Sequence, residues 1–88
     1  MKKRILFIIN PVAGVKRKDK IPALINAHLD HDRFDYEVVY TENRGHATEI
    51  AAEAAKNNFD VVAVAGGDGS VNEVATGLMG TSTCLAII

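Results

Sequence analysis

An 88-residue chain has room for one small domain, and 48% hydrophobic with 24% charged residues is the composition of an ordinary globular protein. The formal net charge of −1 provides no basic excess for a nucleic-acid partner and disfavours permanent electrostatic attachment to an anionic membrane. The single cysteine has no partner for an internal disulfide, which favours the cytoplasm, and no apolar run is long enough to span a bilayer.

The first half of the chain predicts a strand, a loop, a helix and a second strand. Residues 4–9 are an apolar run that an Asn-Pro pair interrupts too early for a signal peptide, so we predict a strand there. Residues 10–20 predict a loop. Apolar residues on one helical face predict a helix at 21–29, and residues 36–40 predict the second strand.

The second half repeats the alternation. An alanine-rich stripe predicts a helix at 47–55, a valine-rich run predicts a buried strand at 60–65, and helical spacing of apolar residues predicts a helix at 71–79. Residues 85–88 begin a fourth strand. The order βαβαβαβ is typical of a parallel sheet with helices on both faces, a three-layer αβα Rossmann-like fold. Because the chain stops inside an apolar strand, we expect a fragment of a longer protein.

The turn between the third strand and the third helix carries the strongest functional signal: Gly66-Gly67-Asp68-Gly69-Ser70. Glycines let a phosphate approach the backbone, and a helix N-terminus attracts anions. The structural alternative is a tight turn, for which two glycines would suffice. Asp68 repels a bare phosphate, so we expect it to hold Mg²⁺ through water. Its alternative is a turn aspartate bonded to its own backbone.

Ser70 and Glu73 have the Ser-x-x-Glu spacing of a capping box, worth about 1 kcal/mol to a helix that begins there. This structural role is the default for Glu73. Ser70 could cap the helix and also touch a phosphate. Asn72 could contact either the ligand or the loop, and the sequence favours neither.

A second, weaker signal follows the first strand and consists of Asn10, Pro11, Val12, Ala13 and Gly14. Asn10 can tie this loop to a neighbouring loop, and a cation from 16–20 could reach a terminal phosphate. The alternative is an ordinary solvated loop. In an open α/β sheet the ligand lies beyond the carboxyl ends of the strands. The two glycine-bearing loops can share a ligand only if strands one and three are neighbours, which predicts strand order 2-1-3-4.

Other polar residues give weaker signals. Thr41 ends the second strand at the same edge, where its hydroxyl could bond a ribose or base or simply terminate the strand. The histidines and aspartates at 28–32 predict a solvated helix end on the far side rather than a metal site. His46, in the first turn of the second helix, is predicted to be structural.

These motifs together resemble the N-terminal part of the diacylglycerol kinase catalytic domain family, which includes bacterial lipid kinases, sphingosine kinases and ceramide kinases. The matching residues are Asn10-Pro11 with Gly14, Thr41, Gly45-His46-Ala47, and the run from Gly66 to Val74. Two departures are mild, since Ser70 stands where the family usually has threonine and Ala13 where serine is common. Both positions retain their backbone donors.

The resemblance implies ATP- and Mg²⁺-dependent phosphorylation of a lipid hydroxyl of the diacylglycerol type. It implies that Asp68 is catalytic and an indirect Mg²⁺ ligand. The residues that it places around ATP are Asn10, Pro11, Val12, Ala13, Gly14, Thr41, Gly66, Gly67, Asp68, Gly69, Ser70, Val71, Asn72 and Glu73. It also implies a β-rich second domain, absent from these 88 residues, that carries the catalytic base and lipid pocket.

We therefore expect residues 1–88 to be an incomplete nucleotide-binding domain that is inactive alone. The partners implied are ATP, a lipid substrate and, transiently, a membrane surface, for a cytoplasmic protein that is peripheral when it acts. The sequence does not decide whether the protein forms a homodimer or which lipid it phosphorylates.

Two other functions share parts of this pattern. An NAD kinase-like enzyme shares Gly-Gly-Asp-Gly, but the Asn-Pro loop and the Val-Asn-Glu continuation favour the lipid kinases. A non-catalytic nucleotide-binding module is the alternative from another class. A dinucleotide-binding Rossmann domain is disfavoured because its glycines should follow the first strand. A phosphorylation receiver domain should have an acidic pair at that point, where this chain has Asn-Pro.

Overall fold

A computed structural model describes residues 2–11 and 21–88 of the chain. Along these residues the elements are β1 (Lys3–Ile9), α1 (Ile21–His28), β2 (Phe34–Tyr40), α2 (His46–Lys56), β3 (Val61–Ala65), α3 (Asp68–Leu78) and β4 (Cys84–Ile87). All neighbouring strands are parallel, and their order is β2-β1-β3-β4. The predicted α/β fold and the predicted strand order 2-1-3-4 are both confirmed.

The central strands β1 and β3 are buried because their sequences are apolar on both faces. In β1, Leu6 and Ile8 pack with α2 and α3, whereas Ile5 and Phe7 pack on the opposite side of the sheet with Ile25 of α1. A strand that is covered on both faces has a continuous apolar sequence, and this pattern was the basis for predicting both strands. The sheet is therefore the middle layer of three.

Helices α2 and α3 pack closely because small residues face each other across their contact. Ala47, Ala51 and Ala54 form the buried stripe of α2. Opposite them lies Gly77 of α3, where an added Cβ would collide with the Thr48 carbonyl oxygen and lie 2.9 Å from the Ala51 Cβ. The glycine thus lets the two backbones approach, and that approach sets where α3 begins relative to α2.

The turn after α1 is held by its own polar residues. His31 Nε2 donates to the Asn26 carbonyl oxygen at 2.8 Å, and Asp30 accepts the Asp32 N–H at 3.1 Å. Asp30 also pairs with Arg33 at 3.4 Å. These exposed side chains build the connection into β2, in agreement with the solvated helix end that the sequence predicts.

The start of α3 differs from the prediction. The helix begins at Asp68 with Gly67 as its N-cap, and no side chain caps it. The Gly67 carbonyl oxygen accepts from the Ser70 and Val71 amides at 3.0 and 3.2 Å, so the first turn is already formed where Ser70 was expected to begin it. The predicted capping box of Ser70 and Glu73 is therefore wrong.

None of the helices in the described segments combines the length and apolar character needed to cross a membrane.

We predict that Gly77→Ala lowers the free energy of unfolding by about 1–3 kcal/mol, because the added methyl group has no room against α2. Gly69→Ala is the matched control in the same helix, since its Cβ would meet no atom within 4 Å in the part of the chain that the structure describes. Helix propensity should make that control neutral or stabilising by up to about 1 kcal/mol. Chemical denaturation measures all three proteins, and a Gly77→Ala protein as stable as the wild type would contradict the close packing.

Candidate functional site

Three strand ends lie at one level of the sheet. In the parallel ladder Ile9 is the partner of the last residue of β2 and of the last residue of β3. The Asn10 amide donates to the Ala65 carbonyl oxygen at 3.0 Å, and the Thr41 amide donates to the Ile9 carbonyl oxygen at 2.9 Å. Asn10, Thr41 and Gly66 therefore leave the sheet side by side, as the predicted strand order requires.

A side-chain hydrogen bond joins the loop after β1 to the turn after β3. Asn10 Nδ2 donates to Ser70 Oγ at 3.1 Å, and Ser70 is only 7% exposed. Gly66 allows this contact, because an added Cβ would lie 2.8 Å from Ser70 Oγ and 3.2 Å from the Asn10 Cβ. The predicted tie between the two loops is confirmed, and the fold itself requires glycine at position 66.

Gly67 and Gly69 have no such structural requirement. Among the described residues, a Cβ at either position would meet no atom within 4 Å. Gly67 has φ −83° and ψ −177°, an extended conformation that any residue adopts, and Gly69 lies in a helix. The tight-turn alternative therefore accounts for Gly66 but not for the other two glycines, whose missing side chains leave the backbone open to an approaching group.

The amides of this turn are available to a ligand. Within residues 2–11 and 21–88, no acceptor is bonded to the N–H groups of Gly67, Asp68 and Gly69. They are the donors that a helix start leaves without an intrahelical partner, and they lie at the positive end of the dipole of α3. This arrangement is suited to an anion with several oxygen atoms.

Asp68 adds a negative charge at the same turn. It is exposed, and its carboxylate makes no hydrogen bond or ion pair to the part of the chain that the structure describes. The alternative of a turn aspartate bonded to its own backbone is thus not what the geometry shows. No group of three or more histidine, cysteine, aspartate or glutamate side chains that could hold a metal occurs among the described residues.

A cleft of about 220 Å³ lies between the loop after β2 and the start of α3. It brings together five of the predicted residues, namely Asn10, Thr41, Gly69, Ser70 and Glu73. The volume is below the roughly 300–1,000 Å³ of pockets that enclose a small-molecule ligand, so the cleft suits one part of a nucleotide rather than all of it.

The cleft also contains residues that the sequence reasoning did not assign. Glu42, Asn43 and Arg44 line it, and Arg44 brings a cation to its wall. Their position directly after Thr41 was the available signal, because the loop after a parallel strand opens at the ligand edge of the sheet.

The remaining predicted residues have other surroundings. Val71 packs against the hydrophobic core, and Asn72 is exposed, with its carbonyl oxygen accepting from Thr76 Oγ1 at 2.9 Å. Pro11 follows Asn10 at the sheet edge. Val12, Ala13 and Gly14 lie outside the described residues, as do the cations at 16–20.

Glu73 contacts a different element from the one predicted. Its Oε1 accepts the Gly45 N–H at 3.1 Å, and its carbonyl oxygen accepts from Thr48 Oγ1 at 2.9 Å. The side chain therefore crosses to the start of α2 instead of folding back on α3, which is the physical reason that the capping box does not form. His46 has the predicted structural role, since its Nδ1 accepts the Glu42 N–H at 2.9 Å.

A larger groove of about 650 Å³ lies elsewhere, between β2 and α2. Its polar groups include Glu37, Glu49 and Glu53. Among the described residues, Arg4 is the arginine that lines it; its guanidinium lies 3.8 Å from the Glu37 carboxylate and 4.1 Å from the centre of the Phe59 ring. Three carboxylates against one engaged guanidinium do not suit an anionic ligand. The smaller cleft beside α3 instead borders the turn at 67–69 and carries Arg44.

We predict that Gly66→Ala lowers the melting temperature, whereas Gly67→Ala leaves it within about 2 °C of the wild type. Only at position 66 does the new methyl group press on the Asn10–Ser70 contact. Differential scanning fluorimetry compares the three proteins side by side. Equal losses of stability in both variants would mean that the turn needs glycine for its own conformation at both positions.

The amino-acid sequence was compared with protein families and curated proteins. Residues 4–88 match the family described as the diacylglycerol kinase catalytic domain. A diacylglycerol kinase of Staphylococcus saprophyticus is 36% identical over 78 residues, which cover 89% of this chain and 26% of that protein. Sphingoid long chain base kinase 5 of Saccharomyces cerevisiae is 43% identical over 77 residues, which cover 86% of this chain and 11% of that protein.

The fold was compared with solved structures. The crystal structure of a diacylglycerol kinase from Bacillus anthracis matches with a TM-score of 0.76 and 33% sequence identity, covering 98% of this chain and 32% of that one. Nearly all of this chain is therefore similar to these relatives, and it spans a third of their length or less.

Proposed function

Because the chain belongs to the diacylglycerol kinase catalytic domain family, we propose that it carries part of the ATP site of a lipid kinase. The reaction is transfer of the γ-phosphoryl group of ATP to a lipid hydroxyl of the diacylglycerol type. The observation that carries this proposal is the turn at 67–69 beside the cleft, where within the described residues three amides have no acceptor and two glycines have no packing requirement.

The turn is suited to the phosphates of the nucleotide. Its amides and the N-terminal end of α3 offer hydrogen bonds and partial positive charge without any side chain that must first be ordered. The bond between Asn10 and Ser70 holds the turn against the neighbouring loop, so the donors keep their spacing. Fixed donors that need no rearrangement are the kind that stabilise transferring phosphoryl groups.

The rest of the nucleotide extends towards the loop after β2 in this proposal. Thr41 lines the cleft and is 7% exposed, and we assign its hydroxyl the role of bonding a ribose or a base. Arg44 lines the same cleft and adds a positive charge near the bound anion. The small volume of the cleft fits this partial role.

Asp68 has the chemistry for a magnesium role at this site. A bare carboxylate beside a polyphosphate is repulsive, and it becomes favourable when a cation lies between the two groups. Mg²⁺, when bound, neutralises negative charge on the phosphate oxygens. With one exposed carboxylate available at the turn, Asp68 would act on the ion through water, and the phosphates would supply the direct oxygen ligands.

During transfer, the bond from the γ-phosphorus to the bridging oxygen of ADP breaks as the bond to the lipid oxygen forms, and the hydroxyl proton passes to a base. We assign that base and the lipid pocket to a β-rich domain outside these 88 residues, since the chain spans 26% of the staphylococcal relative. Residues 1–88 alone should therefore transfer no phosphate, and the contact with a membrane surface also belongs to the full-length protein.

A transfer assay on the full-length protein tests the function. With γ-³²P-ATP and Mg²⁺ we expect label in a lipid when diacylglycerol, sphingosine, phosphatidylglycerol and NAD are offered separately. Label in NAD alone would overturn the lipid assignment. Binding of ATP without transfer to any acceptor would favour a non-catalytic nucleotide-binding module.

Replacing Gly67 or Gly69 by alanine should weaken ATP binding by roughly 10- to 100-fold, the loss expected when one charge-assisted hydrogen bond is blocked. The added methyl groups meet no atom of residues 2–11 and 21–88 within 4 Å, so the fold should be unaffected. Isothermal titration of the full-length proteins measures the dissociation constants. Unchanged affinity in both variants would remove the 67–69 turn from the nucleotide site.

Asp68→Asn should lower kcat by roughly 100-fold or more, because the amide keeps the shape of the side chain but no longer attracts the cation. The carboxylate makes no hydrogen bond or ion pair within the described segments, so stability should fall by no more than the roughly 1 kcal/mol that a negative charge contributes at a helix N-terminus. Steady-state kinetics over a range of Mg²⁺ concentrations measures the loss. A variant with the wild-type rate and Mg²⁺ dependence would exclude Asp68 from the mechanism.

A further inference from the structure

The loop after β2 is tied to α3 by the carboxylate of Glu73. Gly45, the N-cap of α2, has the left-handed conformation φ 86°, ψ −15°, and its amide donates to Glu73 Oε1 at 3.1 Å. The two residues are 28 positions apart, so the bond joins segments that local structure would not bring together. It is partly buried, which increases the cost of losing it.

In the described segments, the other hydrogen bonds of this loop go to its own residues, to α2 or to β1. The Glu42 amide donates to His46 Nδ1 at 2.9 Å, and the His46 amide donates to the Asn43 carbonyl oxygen at 3.2 Å. These contacts fix the shape of the loop without fixing its distance from α3. Among the hydrogen bonds of the described loop, the one to Glu73 Oε1 links it directly to α3.

The position of the loop matters because the cleft has two walls. One wall is the start of α3, with Gly69 and Ser70, and the other is the loop that carries Thr41 and Arg44. A carboxylate in the lining of an anion site would by itself weaken binding. The contact with Gly45 gives this carboxylate a use that does not depend on touching the anion.

We propose that Glu73 is a positioning residue of the nucleotide cleft, whose carboxylate holds the Gly45 amide and thereby keeps the loop Thr41–Gly45 at a fixed distance from the turn at 67–70. The proposal rests on the proposed function for its effect on ATP, but the tether itself is a property of the fold. What the tether requires of residue 73 is an acceptor at Oε1, and a negative charge is not needed.

Three variants of the full-length protein separate these roles. Glu73→Ala removes the acceptor, while Glu73→Gln keeps an amide oxygen in its place and removes the charge. Thr48→Val is the matched control, because it removes the second hydrogen bond between α2 and Glu73 and leaves the Gly45 contact intact. Hydrogen–deuterium exchange over residues 41–46 measures whether the tether holds the loop. Steady-state kinetics measures its effect on the site, as a change in the KM for ATP without a similar change in kcat.

We expect Glu73→Ala to speed exchange at Gly45 and to raise the KM for ATP roughly 3- to 10-fold, the factor for one lost hydrogen bond, with kcat changed less than about twofold. Glu73→Gln should restore both values. Thr48→Val should resemble the wild type in both, whatever its melting temperature.

Three outcomes would overturn the proposal. Unchanged exchange at Gly45 in Glu73→Ala would mean that the carboxylate does not hold the loop. A Glu73→Gln protein as impaired as Glu73→Ala would show that the charge acts directly on ligand or metal. An equal effect of Thr48→Val would reduce Glu73 to general packing between α2 and α3. Failure of the wild type to bind ATP would instead overturn the proposed function, and the exchange data would still decide whether the tether exists.

Discussion

The candidate site depends on the register of three parallel strands. Because the last residues of β1, β2 and β3 are level, the chain leaves the sheet at Asn10, Thr41 and Gly66 along one short line. A shift of one residue in either pairing would turn the exit residues to the opposite face of the sheet. The contacts between Asn10 and Ser70, and between Gly45 and Glu73, can form only when this register has brought their loops together.

Two glycines allow close contacts on which the site depends, one between helices and one within a turn. Gly77, packed against the alanine stripe of α2, lets α3 lie close enough for Glu73 to reach Gly45. Gly66, at the other end of the same segment, lets the turn fold tightly enough for Ser70 to reach Asn10. Gly66 and Gly77 are both needed for packing, whereas Gly67 and Gly69 are not. The packing at Gly66 and Gly77 thus holds in place the turn whose backbone Gly67 and Gly69 leave uncovered.

The sequence predicted the fold and the strand order because periodicity and the chemistry of the loops agreed. Apolar runs such as 61–65 give strands, and the requirement that two glycine-bearing loops share a ligand placed β1 beside β3. The start of α3 was misplaced because the Ser-x-x-Glu spacing is a local signal that a long-range contact overrides. Nothing within residues 70–73 indicates that Glu73 accepts a hydrogen bond from a residue 28 positions away. For Arg44, the position after Thr41 was a signal, but which residues of that loop line the cleft depends on how α3 lies beside it in the folded chain.

The two acidic residues of α3 show how position assigns different roles to the same chemical group. Asp68 is exposed at the first residue of the helix, where unpaired amides favour negative charge, and its carboxylate has no partner in the described segments. Glu73 is half-buried one turn further on, with an oxygen already occupied by a backbone amide. An exposed carboxylate without a partner remains free to bind a hydrated cation, whereas a partly buried one that gave up its contact would leave an amide unsatisfied. In the function that we propose, the two acids would meet a polyphosphate differently: the charge of Asp68 would act through a metal ion, whereas the carboxylate of Glu73 is engaged by the Gly45 amide in the second wall of the cleft.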